Sequence, residues 1–183
     1  MAELRSWLLA QLLWKPDQDD KALIKEFLEG FYGMRAAAPI YRYLELMHTA
    51  SQGVFLRCFL PARPLPHLNF ATLVQAEKLW QEAEAAAAED SEKLERVRLG
   101  HLPVRCAFLK SWSRLRSECL EQNASWPLSE SRKEVAEEFR TVCNGVPEKG
   151  WTRVRVMNEP GLTVDDFLKR FAQDPPEKVR PAL

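Results

Sequence analysis

Apolar residues recur at intervals of three and four along most of this chain, and this period limits what the chain can fold into. Between Leu23 and Phe31 the apolar side chains form one helical face, opposite lysine and glutamate side chains. The same period returns after Asn69, where Leu73 and Trp80 belong to a second long stripe. Stripes of this kind are typical of amphipathic α-helices. The sequence therefore predicts an all-α fold: an irregular bundle of six to seven helices with a kinked long helix and at most one or two short strands.

The boundaries between the first helices follow from residues with special backbone preferences. Lys15 precedes a proline and is pushed out of the helical region, so we expect the first helix to end there. Asp17 or Asp19 can then accept the free amide hydrogens at the start of the second helix. Gly30 and Gly33 are stop signals for that helix. These residues predict two short helices joined by a tight turn.

Later segments also contain residues that begin or interrupt helices. Asn69, Ser131 and Thr163 are placed to cap the helices that follow them. Pro103 lies in the middle of a long apolar-periodic segment, where proline removes one hydrogen bond and crowds the preceding turn. We therefore expect a kink or a break near residues 100–102. Short extended segments are predicted for residues 54–60 and 151–156.

The domain organisation follows from the same reading of the chain. Residues 1–172 are predicted to form a single helical domain. Residues 173–183 are polar and proline-rich, and we expect them to form a mobile tail. No repeat with a period of 20 to 50 residues is visible in the sequence, which argues against a solenoid.

Charge and hydropathy exclude several kinds of partner. The 26 basic side chains equal the 26 acidic ones, so no overall positive field attracts nucleic acid. No apolar run approaches the roughly 18 residues of a membrane span. The apolar run from Trp7 to Trp14 is interrupted by Gln11 and lacks a cleavage site, so we interpret it as a core helix rather than a signal peptide. These observations predict a cytoplasmic protein that binds neither nucleic acid nor membrane.

No segment shows the spacing of a catalytic, metal or cofactor site. The three histidines, His48, His67 and His101, are far apart, and none belongs to a metal-binding motif. The four cysteines, Cys58, Cys106, Cys119 and Cys143, form no close pair, which favours idle thiols in a reduced compartment. The carboxylates near the alanine-rich helix, including Glu82 and Glu84, are expected on its solvated face. We therefore predict no catalytic residue, no metal ligand and no cofactor.

Several stretches together resemble a known family. These are "ELRSWLLAQLLWKPDQDDKALIKEFLEGFYG", "AAAPIYRYLELMH", "LNFATLVQAEKLWQEAEAAAAED" and "LERVRLGHLPVRCAFLK". They occur in the same order as in the C-terminal helical part of a glycoside-hydrolase-like bacterial family catalogued as domain of unknown function 4838. The resemblance runs from about Glu3 to about Lys110, with a weaker likeness around "WTRVRV".

The resemblance implies an accessory region rather than an enzyme. In that family a barrel similar to those of hexosaminidases and glucuronidases precedes this region and holds the catalytic carboxylates. The chain would then be a fragment, a split protein or the product of a misplaced start. Trp14 and Tyr32 lie at helix ends beside turns and are the two positions that we assign as carbohydrate contacts. The alternative is a free-standing helical module that binds another protein.

The first helix itself suggests a partner. Its apolar residues cover far more than one stripe, and the two short helices that follow cannot cover all of them. We expect an exposed apolar patch, reduced by polar substitutions at Trp7 and Leu8. The expected partners are the missing N-terminal barrel or a second copy of the chain, bound through the first helix, and also carbohydrate.

Overall fold

The computed structural model describes residues 1–55, 65–145, 154, 156–157 and 161–172. In this described part the chain forms eight α-helices. They are α1 (Ala2–Trp14), α2 (Asp20–Tyr32), α3 (Met34–Ala50), α4 (Phe70–Ala86), α5 (Ser91–Lys110), α6 (Trp112–Glu121), α7 (Arg132–Asn144) and α8 (Val164–Leu168). Short 3₁₀ helices lie at Pro66–Leu68 and Lys169–Phe171. The predicted all-α fold is confirmed.

The helices begin where the sequence places side-chain caps. Asp19 accepts hydrogen bonds from the amides of Lys21 and Ala22 at the start of α2. Asn69, Ser131 and Thr163 each accept one from an amide in the first turn of α4, α7 and α8 respectively. Each cap satisfies a donor that has no partner within its helix, which stabilises the helix by about 1 kcal/mol. These predicted caps are confirmed.

The helices α1 and α2 end at Lys15 and Gly33. Lys15, before Pro16, has extended backbone angles and ends α1 as expected. Gly33 ends α2 with a φ of 90°, whereas Gly30 lies inside that helix and does not stop it. Glycine tolerates the positive φ at position 33 because it lacks a Cβ atom.

The predicted break near residues 100–102 is wrong. The helix α5 continues through Pro103, and the interruption lies at Ser111, between α5 and α6. An interior proline removes only one backbone hydrogen bond. The neighbouring Leu102 and Val104 are buried, so packing offsets that loss. The long predicted segment therefore forms two helices, and a bend at the proline stays a prediction.

The chain divides into two compact units, Met1–Val104 and Arg105–Leu183. In the first unit, α1 packs on α2, α2 on α3, and α3 on α4. Its core contains the fully buried side chains of Leu28, Ile40, Leu73 and Trp80. Burial of each large apolar side chain contributes about 1.5–3 kcal/mol. The single helical domain predicted for residues 1–172 stays a prediction.

The second unit has its own aromatic core. Trp126 lies edge-on to Phe108 and Trp112, with ring centroids 5.6 and 5.0 Å away. The helices α7 and α8 pack together, with Phe139 and Phe167 6.1 Å apart between ring centroids. Trp112 is buried in this core, as Trp80 is in the core of the first unit.

Extended structure is sparse in the described residues. Val156 and Thr163 form an isolated antiparallel bridge. Most of the extended segments predicted for 54–60 and 151–156, and all of the tail predicted for 173–183, lie outside the described residues. In the described part of the chain, no helix is both long enough and apolar enough to span a membrane.

Candidate interaction surface

The helix α1 exposes an apolar face. Leu9 is 54% exposed, Leu13 is 83% exposed and Trp14 is 90% exposed. Only Leu4 is buried in this helix. Single exposed leucines are common on protein surfaces, but three large apolar side chains near one helix end form a patch of the kind that marks an interaction site. We call Leu9, Leu13 and Trp14 the α1 patch.

The patch differs from the predicted one in its residues. Trp7 packs on α2, with its ring centroid 5.6 Å from that of Phe27, and Leu8 is partly buried. The side of α1 that carries these two residues is therefore the inner side. Leu9 and Leu13 lie on the opposite side of the helix, whereas Trp14 follows Trp7 by seven residues, about two turns, and is exposed at the end of the helix. The apolar composition alone does not distinguish these positions.

The two residues predicted to bind carbohydrate lie in different environments. Trp14 is the last residue of α1 and is almost fully exposed. Tyr32 is only 2% exposed, and its hydroxyl donates to the sulfur of Met1 at 3.6 Å. Burial raises the pKa of the Tyr32 hydroxyl, and the nearby negative charge of Glu3 adds to the effect. The structure does not bring the two side chains onto one exposed surface, and carbohydrate binding stays a prediction.

A groove lies between α2 and α3. It has a volume of about 330 Å³. Its lining residues are Lys25, Leu28 and Glu29 from α2, and Met34, Ala37, Ala38, Tyr41 and Arg42 from α3. Small side chains on α3 leave this space open, because alanine fills little of the surface between two packed helices. The groove could not be predicted from the sequence, since the residues that line the groove come from two helices and share no motif.

Charged groups flank the groove. The ammonium of Lys25 lies 5.3 Å from the centre of the Tyr41 ring, a cation–π arrangement. The guanidinium of Arg42 forms an ion pair with Glu82 of α4. The groove is thus an apolar depression with charged side chains at its exposed margin.

A buried polar cluster joins α4 and α5 within the first unit. The two ring nitrogens of His101 face two carboxylates: Nε2 lies 2.9 Å from Glu77 Oε2, and Nδ1 lies 2.7 Å from Glu84 Oε1. Gln81 Nε2 donates to the other oxygen of Glu77 at 2.9 Å. Trp80 stacks on the imidazole, with ring centroids 5.7 Å apart. Glu77 is fully buried and His101 nearly so.

This cluster corrects the prediction that Glu84 belongs to a solvated face. Glu77, Trp80 and Glu84 lie on one side of α4 because their spacings of three and four match the helical period. The sequence contains one indication of this cluster: the carboxylate of Glu77 lies within the apolar stripe of α4, where a buried partner is needed. Both hydrogen bonds form when the imidazole is protonated at both nitrogens, or when one carboxyl supplies the proton. With each nitrogen already bonded to a carboxylate, the arrangement suits fixing α4 against α5 better than transferring a proton to a substrate.

Metal and thiol chemistry give no further site in the described part of the chain. There, no group of three His, Cys, Asp or Glu side chains is placed to hold a metal ion. Cys106, Cys119 and Cys143 are free thiols, while Cys58 lies outside the described residues. Burial raises the pKa of Cys143 to about 12, and the nearby Cys106 adds to this. A thiol with such a raised pKa is a poor nucleophile near neutral pH.

The N-terminal segment of the chain is similar to a known family. The model of a family described as a domain of unknown function (DUF4838) matches residues 1–45. The matched segment contains α1, α2 and most of α3, and with them the α1 patch and the groove. No curated protein and no solved structure matches the chain. The predicted resemblance to this family is confirmed for the segment that forms the candidate surface.

Proposed function

We propose that this chain is a helical accessory region of a glycoside-hydrolase-like protein, inactive alone, and that it packs on another polypeptide through α1. The exposed α1 patch is the observation that supports this proposal best. The patch lies within the segment similar to the domain of unknown function. Large apolar side chains at a surface gain free energy when a partner removes them from water.

In this proposal the catalytic step takes place in the N-terminal barrel of the larger protein and not in this chain. Glycoside hydrolysis uses two carboxyl groups on either side of the scissile bond, one of which delivers a proton to the leaving oxygen. The best-buried carboxylate described, that of Glu77, is bonded to His101 and Gln81 instead. A structural role for this carboxylate is consistent with an accessory region.

A carbohydrate contact is part of the proposal at Trp14. An exposed indole can stack on the apolar face of a sugar ring, and Trp14 has the exposure for this. Tyr32 would first have to leave its buried position beside Met1. The cytoplasmic location predicted from the sequence also stays a prediction.

The experiment that tests the accessory role examines the coding sequence and the purified chain together. If the role is correct, the transcript continues upstream in frame into a barrel, and the purified chain hydrolyses no aryl glycoside. A stop codon directly upstream would favour the alternative, a free-standing helical interaction module, for which the α1 patch is equally suitable. Turnover that a single Glu or Asp substitution abolishes would contradict both.

A test of the sugar contact uses fluorescence. Oligosaccharide binding at Trp14 should change the tryptophan emission of the chain, and Trp14→Ala should remove that change. The same titration on a Trp126→Phe variant is the matched control, since Trp126 lies in the second unit against Phe108 and Trp112. An unchanged response in the Trp14→Ala variant would rule out Trp14 as the contact.

A further inference from the structure

We propose that this chain recognises a second copy of itself, with Leu13 and Trp14 of one copy docking in the groove between α2 and α3 of the other. This inference rests on the proposed function only in treating the α1 patch as a binding surface. Beyond that function, the partner is a second copy of the chain and the binding site is the groove between α2 and α3.

The donor side is the end of α1. Leu13 and Trp14 are adjacent and are the two most exposed large apolar side chains of α1. The helix ends directly after them because Lys15 precedes Pro16. The two side chains are therefore exposed at the end of α1, where a neighbouring molecule can reach them.

The receiving side is the groove. Its volume of about 330 Å³ is at the lower end of the range of about 300–1,000 Å³ typical of ligand sites. A space of this size suits one or two bulky side chains better than a whole helix. Leu28 and Ala37 are buried and apolar, and the aromatic ring of Tyr41 lies at the same site. Met34 is 78% exposed, and its flexible thioether side chain can adapt to an entering aromatic ring.

The charges of the two surfaces are complementary. The turn after Trp14 carries Lys15 and then Asp17, both exposed. The groove carries Glu29 and Lys25, one helical turn apart on α2. Each surface thus carries one acidic and one basic group, and pairing of opposite charges favours one docking orientation over the reverse. Arg42 forms an ion pair with Glu82, whereas Lys25 lies over the Tyr41 ring without a carboxylate partner in any ion pair of the described residues, so we assign Lys25 to Asp17.

Both surfaces belong to the same chain, yet they do not meet within it. Trp14 is 90% exposed, so it does not fill the groove of its own molecule. A protein with a protruding apolar group and a complementary depression elsewhere on its surface forms a heterologous contact between copies. Two copies can also exchange the contact reciprocally, which gives a closed dimer.

The test measures molar mass over a dilution series by sedimentation velocity. The wild-type chain should associate as its concentration rises. Trp14→Ser removes the docking side chain, and Ala38→Trp fills the groove from an exposed position of α3. Each variant alone should associate about tenfold more weakly or worse, as expected for loss of a central contact. Circular dichroism of both variants establishes that they are folded.

Mixing the two variants gives the decisive measurement. The Ala38→Trp chain retains its Trp14, and the Trp14→Ser chain retains its groove, so an equimolar mixture should form a one-to-one dimer at concentrations where each variant alone is monomeric. Leu120→Ser, at an exposed leucine of the second unit, is the control and should associate like the wild type. A mixture that stays monomeric would overturn the proposal.

Further outcomes separate the alternatives. If Ala38→Trp associates normally while Trp14→Ser does not, the contact is between two α1 helices and the groove is not its receiving site. A wild-type chain that is monomeric at every concentration would refute self-recognition, but it would leave the in-frame barrel of the accessory role untouched. A charge exchange adds a specific check: Asp17→Lys in the Ala38→Trp chain should weaken the mixed dimer, and Lys25→Asp in the Trp14→Ser chain should restore it.

Discussion

At Gly100 the helix α5 comes close to the aromatic side chains in the core of the first unit. A Cβ atom at this position would lie 2.6 Å from Cη2 of Trp80 and 3.2 Å from the hydroxyl oxygen of Tyr32. Both side chains are almost completely buried, so neither has room to move away. Here glycine is required by packing, since its backbone angles are those of an ordinary helix.

We expect Gly100→Ala to destabilise the protein by about 1–3 kcal/mol, because overpacking a dense core outweighs the better helix propensity of alanine. Gly30→Ala is the matched control, since nothing lies within 4 Å of a Cβ atom there. It should stabilise the protein by about 0.5–1 kcal/mol. Urea unfolding followed by circular dichroism measures both, and a Gly100→Ala protein as stable as the wild type would show that the core can shift.

The thiol of Cys143 should be unreactive in the native protein. Burial raises its pKa from about 9 to about 12, so little thiolate forms near neutral pH. The unfolded chain loses this proton above pH 9, whereas the folded chain keeps it until about pH 12. This thiol therefore contributes stability below pH 9 that is lost as the pH rises toward 12. Maleimide labelling with peptide mass spectrometry should show much slower modification of Cys143 in the native than in the urea-unfolded chain, and equal rates would contradict its burial.

At the scale of the elements, the contact between α4 and α5 depends on polar groups as well as apolar ones. The imidazole of His101 lies between the carboxylates of Glu77 and Glu84, and Trp80 covers its face. A buried ion pair contributes little net stability compared with an apolar pair of the same size. Removal of one member is costly, because the remaining charge stays buried.

We expect His101→Leu to reduce the free energy of unfolding by about 3–5 kcal/mol, because two carboxylates then lie close together without the group that bridges them. Arg42→Gln is the control: it removes an ion pair with Glu82 in which both side chains are about half exposed, and should cost no more than about 1 kcal/mol. Urea unfolding at neutral pH compares the two. Similar losses in both variants would mean that the cluster behaves like a surface pair.

The same elements show how far sequence reasoning reaches. Caps such as Asp19 and Asn69 were predicted because the cap and the amide it bonds are two or three residues apart. The cluster around His101 was missed because Glu77 lies 24 residues away on another helix. The break expected near Pro103 does not occur, because the burial of its neighbours, which offsets the missing hydrogen bond, is a tertiary property. Local chemistry thus predicts where helices begin, and packing decides where they continue and what they join.

The candidate surface shows the same division. The number of apolar residues on α1 is enough to predict that some of them are exposed. Which of them are exposed depends on where α2 packs. Trp7 packs on Phe27 of α2 and Leu8 is partly buried, while Leu13 and Trp14 are exposed. The groove depends on the distance between α2 and α3 and on the small side chains Ala37 and Ala38. No period or motif in a single helix encodes that distance.

At the scale of the whole molecule, the net charge does not steer a partner toward the protein. The 26 positive and 26 negative side chains cancel, so long-range attraction to a strongly charged partner is weak. Association then depends on short-range contacts, of which exposed apolar area is the strongest source. The α1 patch is the largest such cluster on one helix of the first unit in the described residues.

We expect the dilute chain to bind a hydrophobic dye through the α1 patch, and a variant with serine at Leu9, Leu13 and Trp14 to bind much less, because apolar surface accessible to the dye is removed. Serine at Trp7 and Leu8 should instead lower stability, since both side chains contact α2 or lie partly buried. Leu120→Ser is the control for a single exposed leucine. If a second copy covers part of the patch, dye fluorescence per molecule should also fall as protein concentration rises. Dye binding that the triple variant leaves unchanged would place the accessible apolar surface elsewhere and would remove the main support for a docking role of α1.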